Sequence, residues 1–260
     1  MCGICGQFRF DSENVSSKSL TSMMSKLARR GPDSNGKWLQ GKIGFGHQRL
    51  SIIDLSSNGN QPMMDDLLKL TLVFNGTIYN YKSLRSQLIG KGYSFFSHSD
   101  TEVIIKAYHC WGEDCVKYLD GMFAFCVWDQ PNQKLFIARD RMGIKPLYYN
   151  LSNKAFTFAS NSQALLTQEL DRSVNPLALQ QQLSLHGVVP APNTIINGIQ
   201  KVKPATVITI NTKGLLKEKT YWHPGANRSE RNLSDNEYVE KAHELLTAAV
   251  TKRMDAADVP

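Results

Sequence analysis

The chain has 260 residues, 42% of them hydrophobic and 20% charged, with a formal net charge of +7. That is globular composition, enough for one large domain or one domain with part of another, and no apolar run reaches the roughly 18 residues of a membrane span. Lysines and arginines are scattered with no long basic run, which argues against nucleic acid as a partner, and five sparse cysteines with no signal-peptide pattern argue for reduced thiols in the cytoplasm.

The chain opens Met1-Cys2-Gly3-Ile4-Cys5-Gly6. If Met1 is removed, Cys2 carries a thiol nucleophile and a free α-amine on one residue, and the amine can take the thiol proton without a separate histidine. The same C-x-x-C spacing also fits a redox pair or half a metal site. Cys110, Cys115 and Cys126 supply no second C-x-x-C, so no metal is expected. Gly3 and Gly6 would let the backbone turn sharply against a substrate.

Gln7 to Asp11 alternates as a strand, and Ser16 to Arg30 reads as a helix with Leu20, Met23, Met24 and Leu27 on one face. Arg29 to Asp33 breaks it with Gly31-Pro32. Lys42 to His47 and Arg49 to Asp54 read as short strands. Leu68 to Asn75 is a further strand that Asn75-Gly76 stops, a pair that commonly makes a tight hairpin turn.

Tyr81 to Gly90 and Thr101 to Trp111 read as helices, the second capped by Ser99, Asp100 or Thr101. Met122 to Trp128, Lys134 to Arg139, Leu147 to Asn150 and Ala155 to Ala159 read as strands. Asn175 to Leu185 is helical and Thr206 to Asn211 is a strand. Lys213 to Arg231 is polar and reads as a linker. Ser234-x-x-Glu237 is a capping box that opens a last helix. Many short strands with few helices predict an α+β layered fold of mostly antiparallel sheets.

Eight segments, taken together and in order, resemble the glutaminase domain of the glutamine-hydrolysing asparagine synthetase family, a class II glutamine amidotransferase domain. They begin at Met1, Arg30, Arg49, Gln61, Asn75, Ser99, Asp120 and Ala138, the last running through Asp140-Arg141-Met142-Gly143-Ile144-Lys145-Pro146-Leu147-Tyr148-Tyr149. The resemblance implies an N-terminal nucleophile hydrolase fold, a four-layer α/β/β/α sandwich of two antiparallel sheets. It implies a division into a glutaminase domain over 1–211, a linker over 212–233, and over 234–260 the first helix of a following synthetase domain that the chain lacks.

It further implies hydrolysis of L-glutamine to glutamate and ammonia. Cys2 would form a thioester, with the Asn75 side chain and the Gly76 N–H receiving the oxyanion. Arg49 would clamp the α-carboxylate, Leu50, Ser51, Ile52 and Ile53 would line the pocket, and Asp100 would receive the α-ammonium beside Thr77. The glutaminase step is expected to need no cofactor; ATP and Mg belong to the synthetase domain, which is the expected partner in cis or in trans. A homodimer is left open, and no membrane partner is expected. From the residues alone, a solvated Arg49 and a helix-capping Asp100 are the plain alternatives. Another class II amidotransferase, a non-catalytic domain retaining the fold, and a cysteine protease using His47 or His98 as base are the competing functions.

Three positions depart from the family. Thr77 stands where Glu is usual, Asn161 stands where F-A-S-E has Glu, and Asn60 stands where His is common before Gln61-Pro62-Met63.

Overall fold

A computed structural model describes residues 1–225, 233–256 and 258. In chain order the elements are β1 (Gly3–Arg9), α1 (Ser17–Ser25), β2 (Ser34–Gln40), β3 (Ile43–Arg49), β4 (Met63–Asp65) and β5 (Leu70–Ile78). There follow α2 (Tyr81–Gly90), α3 (Asp100–Trp111), β6 (Gly121–Asp129), β7 (Lys134–Arg139), β8 (Tyr148–Leu151) and β9 (Ala155–Ala159). The chain continues through α4 (Ser162–Leu165), α5 (Pro176–Ser184), β10 (Gln200–Lys201), β11 (Thr206–Asn211), β12 (Leu216–Thr220) and α6 (Asp235–Met254).

The strands form two six-stranded antiparallel sheets, ordered β10-β8-β9-β1-β3-β2 and β12-β11-β7-β6-β5-β4. Side chains alternate across each strand, and this period of two builds the layers. Ile4, Phe8 and Phe45 of the first sheet meet Val73, Cys126, Ile137 and Ile208 of the second between the sheets. Leu72, Phe74, Phe125 and Phe136 point the other way, under α2 and α3. Cys5 packs with Leu20, Met23 and Leu27 of the α1 segment on the outer face of the first sheet. The result is the expected α/β/β/α sandwich.

Several local readings are corrected. Gly3 and Gly6 lie inside β1, and tight packing explains both. A Cβ on Gly3 would come within 2.8 Å of Leu27 Cβ, and one on Gly6 within 2.5 Å of the Phe158 ring. The helix read over Ser16 to Arg30 ends at Ser25, with a separate 3-10 turn at Ala28–Arg30. Asn75-Gly76 makes no turn: β5 runs on to Ile78, paired with β6 throughout, so Asn75 faces Ala124 and Gly76 faces Phe123. Arg49 ends β3, and 50–54 is loop. Leu216–Thr220, read as linker, is an edge strand on β11, its Lys217, Glu218 and Lys219 exposed. The rest of the expected linker, 226–232, and Val259-Pro260 lie outside the described residues. The capping box forms as read, with the Ser234 and Glu237 side chains each holding the other's backbone N–H. Among the described residues no helix is long and apolar enough to cross a membrane.

Candidate active site

The two-residue period places the chemistry. Cys2 shares the face of Ile4, Arg49 that of Phe45 and His47, and Asn75 and Thr77 that of Val73. All four therefore point between the sheets, at the end where β1 begins and β3 ends. They border one cavity of about 290 Å³ together with Leu50, Ile52, Ile53, Gly76 and Asp100. Ser51, also expected there, is not on its wall; its N–H donates to Asp33 Oδ2 at 2.7 Å.

The Arg30 to Asp33 segment fastens the two strand ends. Arg30 Nε donates to the Cys2 carbonyl at 3.0 Å, and the Asp33 N–H donates to the Arg49 carbonyl at 3.0 Å. The Cys2 thiol is half-buried. It donates to Leu50 O at 3.5 Å, and the Leu50 N–H donates to Sγ at 3.4 Å. Burial raises the Cys2 thiol above its ordinary range, and the Leu50 N–H pulls it back. Cys5, three residues on, faces α1 and is fully buried, so the two thiols do not form a pair.

Asn75 is 1% exposed, yet among the described residues neither Nδ2 nor Oδ1 has a hydrogen-bond partner. A buried amide without partners carries the full desolvation penalty of its polar atoms, which marks it as prepared for a ligand. Its strand is set by Gln61, whose Oε1 accepts the Phe74 N–H at 2.6 Å beyond the end of the β4 ladder. Gly76 is glycine because β6 is close: a Cβ would lie 2.2 Å from Met122 O.

Arg49 directs its guanidinium at its own loop. Nη1 donates to Ser56 O at 3.0 Å and to Asn60 Oδ1 at 2.8 Å, and Nη2 donates to the carbonyls of Ile53 and Asp54. Among the described residues no carboxylate pairs with it. Asn60 thus acts as an acceptor that orients Arg49. Asp100 is the first residue of α3, and Ser99 is the cap, its Oγ accepting the Thr101 N–H at 3.1 Å. Asp100 Oδ2 accepts the Ile78 N–H at 3.0 Å. Burial pushes its carboxyl up to about 7, against the lowering effect of that bond. Thr77, 7% exposed, precedes Ile78 in β5 and borders the cavity. Asn161 caps α4 through Ala164 N–H at 2.9 Å and donates to Lys26 O at 3.1 Å, tying α4 to the end of α1.

His47 is fully buried, its Nε2 3.2 Å from Phe74 O, and burial pushes it down to about 3; it does not border the cavity. It is a neutral strut between the sheets. His98 does not border the cavity either.

Among the cavity residues not singled out from the sequence, Gln61 and Lys145 bear on the chemistry. Gln61 opens the Gln61-Pro62-Met63 segment, and its role comes from its reach to Phe74 and to Thr101 Oγ1, at 3.3 Å. Lys145 is 5% exposed on the cavity wall, with no ion-pair partner among the described residues. Its loop is held by Asp140, whose carboxylate accepts the N–H groups of Phe123, Met142, Ile144 and Lys145. The positive charge beside Cys2 raises the affinity of this end of the cavity for an anionic sulfur or oxygen.

A family model described as "Glutamine amidotransferase domain" matches residues 1–222. The chain belongs to that family. It is 37% identical to asparagine synthetase [glutamine-hydrolyzing] 1 of Bacillus subtilis, a match that covers 100% of this chain and 41% of the relative. It is 33% identical to amidase chry2 of Gibberella zeae over 94% of this chain and 36% of that one. The chain thus spans less than half the length of these relatives. Among solved structures, the glutamine phosphoribosylpyrophosphate amidotransferase of B. subtilis superposes with a TM-score of 0.62 at 18% identity, covering 86% of this chain and 50% of that chain. That likeness establishes the shared glutamine amidotransferase fold.

If Asp100 receives a cationic ligand group, its ionisation makes that binding pH-dependent. A cationic group binds the carboxylate and not the neutral acid. In Cys2→Ala protein, the affinity for glutamine measured by calorimetry is expected to rise as pH goes from 5.5 to 7, nearly tenfold per unit at the lower end, and to level off above about 7. Folding stability has the opposite slope. A carboxyl raised in the folded state stabilises it fully below the unfolded pKa, and that contribution is lost as pH rises through about 7. Asp100→Asn should flatten both curves; a binding curve that keeps its slope in Asp100→Asn removes Asp100 as the titrating group.

Proposed function

We propose that this chain hydrolyses the side-chain amide of L-glutamine through a Cys2 thioester and passes the ammonia to an ATP-dependent synthetase domain of the asparagine synthetase type. The observation that carries the reading is the buried, unpartnered Asn75 amide on the wall that also holds the Cys2 thiol.

After removal of Met1, the Cys2 α-amine takes the thiol proton and Sγ attacks the amide carbon. The carbonyl oxygen becomes an oxyanion, which receives hydrogen bonds from Asn75 Nδ2 and the Gly76 N–H, with the Lys145 charge nearby. The C–N bond breaks, and the proton held by the α-amine goes to the leaving nitrogen, giving ammonia and a thioester. Water, deprotonated by the same amine, attacks the thioester; glutamate leaves and the thiol is restored. Arg49, whose charge no carboxylate among the described residues balances, draws the substrate α-carboxylate, and Asp100 draws the α-ammonium. No step uses a cofactor, and ATP and Mg belong to the synthetase portion. Residues 234–260 supply the first helix of that portion, and the homology with longer synthetases supports this assignment. Release of glutamate and ammonia in equal amounts from glutamine tests the reading, and a processed protein that releases neither overturns it.

Thr77 sets the affinity. Asp100 offers one negative charge to the ammonium, and a hydroxyl at position 77 adds none. A charge-assisted hydrogen bond contributes roughly 1.5–3 kcal/mol and a neutral one about 1. Thr77→Glu is therefore expected to lower KM for glutamine by about tenfold with kcat nearly unchanged, because the ammonium is held alike in ground and transition states. A KM that stays put or rises in Thr77→Glu places the ammonium elsewhere.

A further inference from the structure

The loop that carries Leu50 to Asp54 borders the cavity but belongs to neither sheet. The other end of the chain holds it. The Asp258 N–H donates to Ile52 O at 2.9 Å, and the Asp54 N–H donates to Asp258 Oδ2 at 2.8 Å. The two bonds bracket Ile53 in the cavity wall. Asp54 stands at φ 53, in the left-handed region that a residue with a Cβ occupies at some cost, so its conformation depends on such restraints. Asp54 is also the residue whose carbonyl accepts Arg49 Nη2 and whose Oδ2 accepts the His98 N–H at 2.9 Å. The tail therefore reaches Arg49 through one intermediary. The residues just before it are fastened to the segment that follows β5 and to Asp120. Lys252 pairs with Asp120, the Arg253 guanidinium lies 5.0 Å from the Tyr79 ring centroid, and Lys82 Nζ donates to Asp255 O at 3.0 Å.

We propose that Asp258 is a positioning residue for the glutamine pocket, setting the 52–54 loop and with it Arg49, and that occupancy of the pocket is thereby coupled to the segment that follows α6. The ligand's identity rests on the glutamine reading above; the coupling itself does not. Ordering a loop in advance removes a cost that the ligand would otherwise meet on binding. Coupling of this kind is reciprocal, so a ligand that needs the ordered loop must in turn hold the tail.

The test uses Asp258→Ala and Asp258→Asn in the intact protein, the second retaining an oxygen acceptor for the Asp54 N–H. Without ligand, amide hydrogen exchange in the peptide spanning Ile52 to Asp54 is expected to quicken in Asp258→Ala and to stay near the parent rate in Asp258→Asn. KM for glutamine is expected to rise roughly three- to tenfold in Asp258→Ala, with kcat within about twofold and Tm unchanged. Glutamine added to Cys2→Ala protein should slow exchange in the peptide carrying Asp258. Unchanged exchange at 52–54 in Asp258→Ala overturns the proposal. So does faster exchange with no change in KM, and so does a fall in kcat and Tm together, which is the mark of general destabilisation. A protein with no glutaminase activity whose 52–54 exchange still quickens refutes the glutamine reading and leaves the loop coupling standing.

Discussion

Cys2→Ala is expected to leave no measurable glutamine hydrolysis, a loss on the order of 10⁶-fold, while Cys5→Ala keeps activity within about twofold. The two residues share one motif and differ in what surrounds them. Cys2 borders the cavity with its sulfur bonded to the Leu50 backbone. Cys5, Cys115 and Cys126 are fully buried, and burial raises all three thiols far above the range in which a thiolate forms. Cys5→Ala removes a sulfur packed against α1 and should lower stability by about 1 kcal/mol, visible as a fall in Tm without loss of turnover. The same mechanism requires the loss of Met1, because the proposed base is the Cys2 α-amine. Intact-mass spectrometry of active protein should show one methionine fewer. Equal losses in Cys2→Ala and Cys5→Ala would favour a paired-thiol role, and full turnover by protein retaining Met1 would place the base elsewhere.

What could be read from the sequence follows from where the information lies. Runs such as Lys134–Arg139 and Ala155–Ala159 carry their own strand signal, and the structure has them with those bounds. Asn75-Gly76 does not behave as its local chemistry suggests, because β6 pairs with β5 past the dipeptide and the ladder outweighs the turn preference. Arg49 to Asp54 looks like a strand by composition. The carbonyls that a sheet would need at Ile53 and Asp54 are taken instead by the Arg49 guanidinium and, at Ile52, by the Asp258 N–H. The β12 edge strand was hidden by its own exposure, since four consecutive exposed residues, Lys217 to Thr220, carry no two-residue alternation and read as polar linker.

The candidate site divides along the same line. Cys2, Arg49, Asn75, Gly76 and Asp100 stand in segments whose resemblance to a family could be read one stretch at a time. Gln61, Lys145 and Asp258 act by reaching across to residues 13 to 204 positions away, or by lying unpaired on a wall built by others. Nothing in a single sequence displays such pairings. Asn60 is the intermediate case. It was visible as a departure from the family, and its meaning came only with the bond from Arg49 Nη1 to its Oδ1.

Asn75→Ala is expected to lower kcat by about 10²- to 10³-fold and leave KM for glutamine within a few-fold. The donor is aimed at charge that exists only after attack, so its loss falls on the transition state and not on binding. The same substitution should not destabilise the fold. Both polar atoms of the Asn75 side chain are buried without partners among the described residues, so removing them removes a desolvation penalty and breaks no hydrogen bond seen there. The small cavity left by the amide works against that gain, and the expected net result is a Tm equal to or above that of the parent. This pairing of a large catalytic loss with an undiminished Tm separates an oxyanion donor from a structural asparagine, which would lose stability along with activity. Asn75→Asp supplies a second check. An ionised carboxylate accepts but does not donate, and it repels the oxyanion, so the loss in kcat should equal or exceed that of Asn75→Ala at pH 8. Measured kcat, KM and Tm of the three proteins decide the matter. If Asn75→Ala keeps kcat within a few-fold, the oxyanion is stabilised by other groups, with Lys145 and the Gly76 N–H the remaining donors on that wall; if its Tm falls by several degrees, Asn75 has a structural partner and its readiness for a ligand is refuted.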